Sequence, residues 1–237
     1  ARRAGVRILT GRRFTGLVRR PRSLVVHTDK GDISCRFLVN CGGLQSDRIA
    51  GKCGVAPGIR IVPFRGEYYT IAPRRRFLVK NPIYPVPNPA FPFLGVHFTR
   101  LIDGGIEAGP NAVLAFQREG YRKTDFSLKD TVDTLTYPGF LRLAARYWKT
   151  GLGEMHRSLS KTAFARALRR LVPSISAEDL SPGGAGVRAQ ALTPGGELLD
   201  DFHILGGGRS IHVLNAPSPA ATASLSIGAH VADIALQ

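Results

Sequence analysis

Two short segments of this chain carry residues that could bind an anion and move a proton. Residues 95–100 contain His97 and Arg100, and residues 186–190 contain Arg188. A neutral imidazole can accept a proton near neutral pH, and a guanidinium can hold a carboxylate through two parallel hydrogen bonds. Together the two segments predict a site for an anionic molecule that gives up a proton.

The histidine lies in a strand pattern, in which side chains alternate between two faces. His97 and Thr99 share one face, and Phe98 and Arg100 share the other. His97 and Arg100 can therefore reach one site only if a bulge or the strand end redirects one of them. The alternative is that this histidine and Arg188 are structural residues, whose polar atoms are hydrogen-bonded to neighbouring polar groups.

A strand-to-helix junction near the end of the chain could hold negative charge. The apolar strand at residues 211–214 leads into residues 215–219, where Ser218 is a suitable N-cap and Pro219 a suitable first residue of a final helix. The N–H groups and the dipole at a helix N-terminus favour an anion. A well-capped helix without a ligand would carry the same residues, so both interpretations stay open.

A second junction combines a strand end with two glycines. The strand predicted over residues 33–39 runs into Asn40-Cys41-Gly42-Gly43, and residues 44–51 have a helical pattern. Glycine lets the backbone approach a ligand closely. An ordinary tight turn would have the same composition, which is the alternative here.

The elements that position these residues are of mixed type. Strands with glycine and proline turns are predicted over residues 5–40 and 59–115, including a hairpin at Asp103-Gly104-Gly105, and strands return from residue 183. Residues 127–172 have helical periodicity, in which Tyr147 and Trp148 are predicted to be core residues and Gly151-Leu152-Gly153 to break the helix. A mixed α/β fold is expected.

Composition narrows the class of protein. The net charge is +16. A well-solvated surface is the first explanation, and an acidic substrate or an anionic membrane surface is the next. The basic clusters lack interleaved aromatic residues, so nucleic acid is not an expected partner. The three cysteines are odd in number and contain no Cys-x-x-Cys, which argues against a disulfide framework or a metal site and favours a reducing compartment.

The ends of the chain raise a separate expectation. The first residue is Ala1 and the one methionine is Met155, so we expect a processed, trimmed or partial sequence. A Gly-x-Gly-x-x-Gly after an N-terminal strand, the usual dinucleotide-binding fingerprint, is absent from the sequence.

Several motifs in order give the chain a family resemblance. It resembles the L-2-hydroxyglutarate oxidase or dehydrogenase branch of the D-amino-acid-oxidase-like flavoproteins over roughly residues 38 to 235. The motifs are Asn40-Cys41-Gly42-Gly43-Leu44-Gln45-Ser46-Asp47-Arg48, Val62-Pro63-Phe64-Arg65-Gly66-Glu67-Tyr68-Tyr69, Ile83-Tyr84-Pro85-Val86-Pro87, Phe93-Leu94-Gly95-Val96-His97, Gly109-Pro110-Asn111-Ala112, Arg118-Glu119-Gly120-Tyr121, Gly151-Leu152-Gly153-Glu154-Met155, Gly186-Val187-Arg188-Ala189-Gln190 and Asn215-Ala216-Pro217-Ser218-Pro219-Ala220-Ala221-Thr222.

The resemblance implies a fold and a reaction. The expected fold is a partial Rossmann-like FAD-binding domain, residues 1–55 and 183–237, around an antiparallel-sheet substrate domain with helices, residues 56–182. The implied reaction is oxidation of L-2-hydroxyglutarate to 2-oxoglutarate, with a hydride passing from C2 to FAD. Oxygen or a membrane quinone would then take the electrons, in the cytoplasm or at the periphery of the inner membrane.

The resemblance also implies roles for individual residues. His97 is the expected base for the substrate hydroxyl. The residues expected to hold the two substrate carboxylates are Arg65, Tyr68, Arg100 and Arg188. The residues expected to line the flavin are Cys41, Gly42, Gly43, Arg188, Asn215, Ala216, Pro217 and Ser218.

Departures from the family pattern leave other functions open. Without the N-terminal glycine-rich turn, the chain looks like the C-terminal part of the enzyme, and alone it should bind FAD poorly. Gly42 stands where alanine is more usual. A related flavin oxidase of another small acid, such as an amino acid or glycerol phosphate, is one alternative. A non-catalytic remnant, or one half of a split protein, is the other.

Overall fold

The computed structural model describes residues 5–86, 95–216 and 219–236. Within these residues the chain forms two compact units: unit 1 comprises Ala1–Ile59 and Asp201–Gln237, and unit 2 comprises Arg60–Asp200. Unit 2 is therefore an insertion in the sequence of unit 1.

Strands and helices of both units follow one another in mixed order, as expected. The strands are β1 (Phe14–Arg19), β2 (Leu24–Thr28), β3 (Ile33–Cys35), β4 (Leu38–Asn40), β5 (Arg60–Ile71), β6 (His97–Arg100), β7 (Ile106–Gly109), β8 (Val113–Leu114), β9 (Leu180–Leu192), β10 (His203–Gly207) and β11 (Ser210–Asn215). The α-helices are α1 (Ser46–Lys52), α2 (Leu128–Leu135), α3 (Pro138–Leu159), α4 (Lys161–Leu168) and α5 (Ser224–Leu236).

Unit 1 contains two three-stranded sheets. Strands β1, β2 and β3 form an antiparallel meander, and the other sheet has the order β10-β11-β4. In the second sheet β11 runs parallel to β4, whereas β10 and β11 form a hairpin. The apolar residues Ile227, Val231 and Ile234 of α5 recur at helical spacing and pack with Ile211 and Val213 of β11.

Unit 2 is built on a five-stranded antiparallel sheet. Its order is β6-β7-β5-β8, and β9 pairs with β5 along that strand, from Arg60 opposite Leu192 to Ile71 opposite Leu180. One face of the sheet is covered by α4, whose Phe164 and Leu168 are fully buried in the main core of the unit. The opposite face carries the candidate site.

The helical segment differs from its sequence prediction in two ways. Helix α3 continues through Gly151-Leu152-Gly153 to Leu159, so the predicted break there is wrong. The irregularity lies instead at Tyr147, whose φ of −119° and ψ of 20° are not helical. Tyr147 packs beside a small core cluster, as predicted, whereas Trp148 is 56% exposed, so its predicted place in the core is wrong.

Two boundaries also differ from the predictions. The domain boundary expected at residue 182 falls inside β9, whose continuous pairing with β5 keeps residues up to Asp200 in unit 2. The final helix, expected from about Pro219, begins at Ser224, since residues 219–223 form a turn in which Ala223 N–H donates to the Pro219 carbonyl. The predicted hairpin at Asp103-Gly104-Gly105 is confirmed between β6 and β7, with Gly104 at a φ of +79°.

Candidate functional site

The candidate site of unit 2 lies on the sheet face away from α4. Phe98 and Tyr69 both lie opposite Ala108 and belong to the core side. The alternating residues therefore point to the other side, which carries Tyr68, Thr70, His97, Thr99 and Glu107. His97 begins β6 directly after residues 95–96, where Gly95 has a φ of +73°, a conformation that favours glycine.

His97 is oriented by two contacts. Its ring stacks on Tyr84, with the centroids 4.5 Å apart and the planes at 29°, and its Nδ1 lies 3.3 Å from the Gly95 carbonyl oxygen. In the neutral ring Nδ1 then carries the proton and donates to that oxygen, so Nε2 is the acceptor. The geometry leaves Nε2 as the atom that could take a proton from a bound hydroxyl.

The electrostatic surroundings keep this imidazole neutral. Burial lowers the pKa of His97 below its ordinary 6.5, and the positive charge of Arg188 lowers it further, against the opposing effect of the Gly95 carbonyl. A neutral ring at pH 7 is the form that can act as a base.

Arg188 and Tyr68 share this environment. Arg188 lies opposite Phe64 in the β5–β9 register, and Phe64 and Tyr68 are on the same side of β5 by strand alternation. Burial raises the pKa of the Tyr68 phenol, Arg188 lowers it, and Glu107 and Tyr84 raise it. The structure thus brings Tyr68, His97 and Arg188 together, as the family resemblance implies, and adds Tyr84.

Arg65 lies on the other face of the sheet. It is 5% exposed, and its Nε and Nη2 donate to Glu67 Oε1 at 3.0 and 2.9 Å, while Nη1 donates to the Arg122 carbonyl oxygen at 3.1 Å. Strand alternation separates this pair from Tyr68 and Arg188. The structure therefore gives Arg65 a structural role and does not support its expected contact with substrate.

Glu67 is the centre of that buried network. Burial alone would raise its pKa, but hydrogen bonds from Ser158, Asn111 and Arg65, together with the charge of Lys123, outweigh the burial and lower it. Asn111 Nδ2 donates to Glu67 Oε2 at 3.1 Å, and the Glu67 backbone N–H donates to Asn111 Oδ1 at 2.8 Å. The network fastens the segment after β7 to β5, behind the candidate site.

Arg100 does not join the group either. Its Nη1 donates to the Val79 carbonyl oxygen at 3.2 Å, and its side chain is turned towards the β6–β7 hairpin. Strand alternation separates it from His97, as the sequence predicted, and the strand end does not redirect it towards that side. The structure therefore does not support the expected substrate contact of Arg100.

In unit 1 the two predicted junctions lie at one edge of a sheet. Because β4 and β11 run parallel, with His212 opposite Asn40, their carboxyl ends point the same way. The Ser46 hydroxyl, at the start of α1, donates to the Leu214 carbonyl oxygen at 3.4 Å. This brings the turn after β4 close to the end of β11.

The turn Cys41-Gly42-Gly43 is exposed and presents its backbone. Gly43 has a φ of +51°, and a side chain at that position would meet no atom within 4 Å. A glycine backbone open to solvent at the carboxyl edge of parallel strands is suited to a phosphate or a flavin ring system. These residues fit a dinucleotide, and FAD would be held there by backbone N–H groups other than that of Gly42, which donates to Asn40 Oδ1.

The junction after β11 is only partly described. The Asn215 amide is buried and donates to the Asp201 carbonyl oxygen at 2.7 Å, which orders the strand end, and Ala216 follows it. Pro217 and Ser218 lie outside the described residues. Helix α5 begins at Ser224, and residues 219–223 form a turn where the sequence predicted the start of the helix.

Two properties of the described residues concern metal ions and membranes. Among the described residues there is no cluster of three histidine, cysteine, aspartate or glutamate side chains that could hold a metal ion. No helix within the described ranges is long and apolar enough to span a bilayer.

With this geometry in place, comparison with known proteins identifies the family. The profile described as "DAO: FAD dependent oxidoreductase" matches residues 1–234. The chain belongs to this family of FAD-dependent oxidoreductases. The resemblance inferred from the sequence motifs is confirmed at this level, and so is the mixed fold.

Curated relatives of high sequence identity carry the same enzyme name. The chain is 57% identical over 214 residues to "L-2-hydroxyglutarate dehydrogenase" of Indibacter alkaliphilus, covering 90% of this chain and 54% of that protein. It is 47% identical over 216 residues to "L-2-hydroxyglutarate dehydrogenase, mitochondrial" of Homo sapiens, covering 89% of this chain and 47% of that protein. The chain thus spans about half the length of the curated relatives it matches.

A solved structure supports the fold. L-alpha-glycerophosphate oxidase from Mycoplasma pneumoniae, determined with FAD bound, superposes with a TM-score of 0.63 at 16% identity, covering 95% of this chain and 50% of that one. At this identity the likeness concerns the fold alone.

Sequence reasoning missed three contributors to these sites. Tyr84 belongs to a proline-rich motif, and an aromatic residue two positions after Pro82 is only a weak signal for a functional site. The pairing of Arg65 with Glu67 was not predicted, although two opposite charges on one face of a strand are a signal for such a pair. The buried His212 beside Asn40 had no local signal, because the two residues belong to strands far apart in the chain.

Proposed function

We propose that this chain is part of an FAD-dependent enzyme that oxidises L-2-hydroxyglutarate to 2-oxoglutarate. The observation that carries the proposal is the group on the face of the unit 2 sheet away from α4: a neutral histidine with an acceptor nitrogen, stacked on Tyr84, beside Arg188 and Tyr68. The printed names of the relatives support the choice of substrate.

Each residue has a proposed task. Arg188 binds a substrate carboxylate, with the Tyr68 hydroxyl as a further donor. His97 accepts the C2 hydroxyl proton at Nε2, and the Gly95 carbonyl oxygen holds the proton already on Nδ1. Tyr84 fixes the plane of the imidazole. FAD, when bound, supplies the acceptor for the hydride.

The exposed turn of unit 1 is the proposed contact for that cofactor. Cys41 and Gly43 would present backbone groups to it. Gly42, whose N–H donates to Asn40 Oδ1, would let the chain approach it closely, and Asn215 and Ala216 would border the turn. We also propose oxygen or a membrane quinone as the final electron acceptor, with a peripheral membrane contact in the second case.

A related oxidase of a monocarboxylic acid is the second candidate function. Of the three arginines expected to hold two carboxylates, Arg188 is the one whose charge acts on His97. Arg65 donates to Glu67, and Arg100 donates to the Val79 carbonyl oxygen. A single guanidinium is sufficient for one carboxylate.

Ligand titration separates these functions. The purified chain is titrated with FAD, and its absorbance spectrum is recorded anaerobically with L-2-hydroxyglutarate, with D-2-hydroxyglutarate as the matched control and with lactate as the monocarboxylic acid. Bleaching by the L-isomer alone supports the proposal, and equal bleaching by lactate favours the second candidate.

If FAD does not bind, the same titration is run on the chain joined to a segment that carries a dinucleotide-binding turn. Failure of every acid to bleach bound flavin there would overturn both.

A further inference from the structure

A continuous set of hydrogen bonds joins a buried histidine to the glycine turn of unit 1. His212 on β11 is 0% exposed, and its Nδ1 lies 3.0 Å from Asn40 Nδ2. The same Asn40 side chain accepts the Gly42 backbone N–H at Oδ1, at 3.0 Å. None of the tasks proposed above uses this histidine.

The partners of His212 fix where its proton lies. An amide nitrogen such as Asn40 Nδ2 can only donate, so Nδ1 of His212 must accept. The ring proton therefore sits on Nε2, which donates to Ser210 Oγ at 3.1 Å. Ser210 Oγ in turn donates to the Gly207 carbonyl oxygen at 2.6 Å. The neutral ring with its proton on Nε2 satisfies both neighbours.

The orientation of the Asn40 amide is determined in the same way. Its Nδ2 donates to the Ser46 carbonyl oxygen at 2.9 Å as well as to His212, and its Oδ1 accepts from Gly42. Turning the amide over would place N–H groups against the Gly42 N–H and remove the donor to Ser46. The bond to His212 uses the remaining Asn40 hydrogen and holds the amide in this orientation.

We propose that His212 is a positioning residue that acts through Asn40 to hold the Gly42-Gly43 turn in the exposed conformation described above, in which Gly43 has a φ of +51°. That the turn then meets a flavin rests on the function proposed above, whereas its dependence on His212 does not. A proton added at Nδ1 would face the Asn40 N–H group and break the connection.

The charge around the ring supports the neutral form. Arg19 of β1 is the charged group that the described residues place nearby; its Nη2 donates to Ser210 Oγ at 3.3 Å and to the Cys53 carbonyl oxygen at 3.1 Å. Burial first, and then this positive charge, lower the pKa of His212.

Two variants of His212 test its hydrogen bonds with Asn40 and with Ser210 separately. In His212→Asn an amide oxygen can take the place of Nδ1 and still accept from Asn40. In His212→Gln the amide reaches the place of Nε2 and can bond Ser210, but it leaves Asn40 without its acceptor. The readout is the hydrogen-exchange rate of the Gly42 amide in the 237-residue chain without flavin, with the Ile83 amide, bonded to the Phe98 carbonyl in unit 2, as reference.

The expected result is specific to one variant. His212→Gln raises the Gly42 exchange rate about tenfold or more, in line with the loss of one buried hydrogen bond, while His212→Asn stays within about threefold of the parent. The Ile83 rate is unchanged in both. Equal Gly42 rates in the two variants would overturn the proposal.

A second measurement on the unmodified chain needs no variant. The ¹⁵N shifts of His212 should show a protonated Nε2 and an unprotonated Nδ1, and on acidification the Gly42 amide signal should move with the same midpoint as the imidazole. A proton on Nδ1, or a Gly42 signal that ignores the titration, would also overturn the proposal. Both measurements are made without FAD, so failure of the chain to bind flavin leaves them interpretable.

Discussion

Arg65 and Arg188 occupy neighbouring positions on paired strands and yet face opposite sides of the sheet. In the register of β5 and β9, Arg188 lies opposite Phe64, the residue before Arg65. This offset of one residue places Arg65 on the buried side with Glu67 and leaves Arg188 on the side of His97. The two arginines should therefore respond differently to substitution.

Removing Arg65 should reduce stability. In Arg65→Met, Glu67 loses a charged hydrogen-bond donor but keeps Lys123, Ser158 and Asn111, so the expected cost is about 1.5–3 kcal/mol. Urea denaturation of the variant and of the parent measures the difference. The double variant with Glu67→Gln should recover part of the loss, and a single variant as stable as the parent would contradict the structural role.

Removing Arg188 should weaken ligand binding. Loss of a charged hydrogen-bonding partner for a carboxylate weakens binding of L-2-hydroxyglutarate by about ten- to one-hundredfold. Calorimetric titration of Arg188→Met, with Arg188→Lys as the charge-preserving control, gives the affinities. An unchanged affinity in Arg188→Met would remove this residue from the proposed site.

Replacing His97 should slow the chemical step. In a flavin-containing protein that includes this chain, His97→Asn removes the proposed proton acceptor at Nε2 and lowers the rate of flavin reduction by about 10²-fold or more. Stopped-flow absorbance under anaerobic conditions measures this rate. Thr99→Ser, on the same face of β6, should stay near the parent rate; a His97 variant that also does so would exclude the residue as the base.

Acid should destabilise unit 1 through His212. The pKa of His212 is lowered in the folded chain, so the unfolded chain binds a proton at higher pH, near the ordinary value of 6.5. The stabilisation is fully present above pH 6.5 and is lost as the pH falls from there through the folded pKa. Urea midpoints measured across this range should fall with acid.

The variant His212→Asn is the control for that pH dependence. Its curve should be flatter over the same range, although His97, whose pKa is also lowered, contributes with the same sign. Parallel curves for parent and variant would show that another group is responsible.

Two glycines should respond in opposite directions to alanine. Gly109 has a φ of +142°, and a Cβ there would lie 2.7 Å from the Glu67 carbonyl oxygen, so Gly109→Ala should cost more than about 1 kcal/mol. Gly151 lies within α3 with no atom within 4 Å of a Cβ, so Gly151→Ala should stabilise by about 0.5–1 kcal/mol. Thermal or urea unfolding distinguishes these outcomes, and a loss in the second variant would contradict the geometry.

Local patterns in the sequence predicted the features that depend on neighbouring residues. Strand alternation separated His97 from Arg100, and the glycines at residues 103–105 marked the β6–β7 turn. The position of Arg65 was harder to predict, because both faces of β5 carry packed residues. Ile71 packs in the core cluster that contains α4, and Val62 packs in the cluster that contains Leu143 of α3. Helical periodicity did not reveal the kink at Tyr147, and the apolar character of Trp148 did not show that its side chain is exposed.

The pairing of β5 with β9 has a consequence for how the protein acquires its fold. Every element from β6 to α4 lies between these two strands in the chain, so a ribosome exposes β5 well before its principal partner has been synthesised. Closing such a long loop delays the sheet, and until then the hydrogen-bonding edge of β5 is open to other chains. Production at low temperature, or with a chaperone that shields extended segments, should therefore raise the soluble yield.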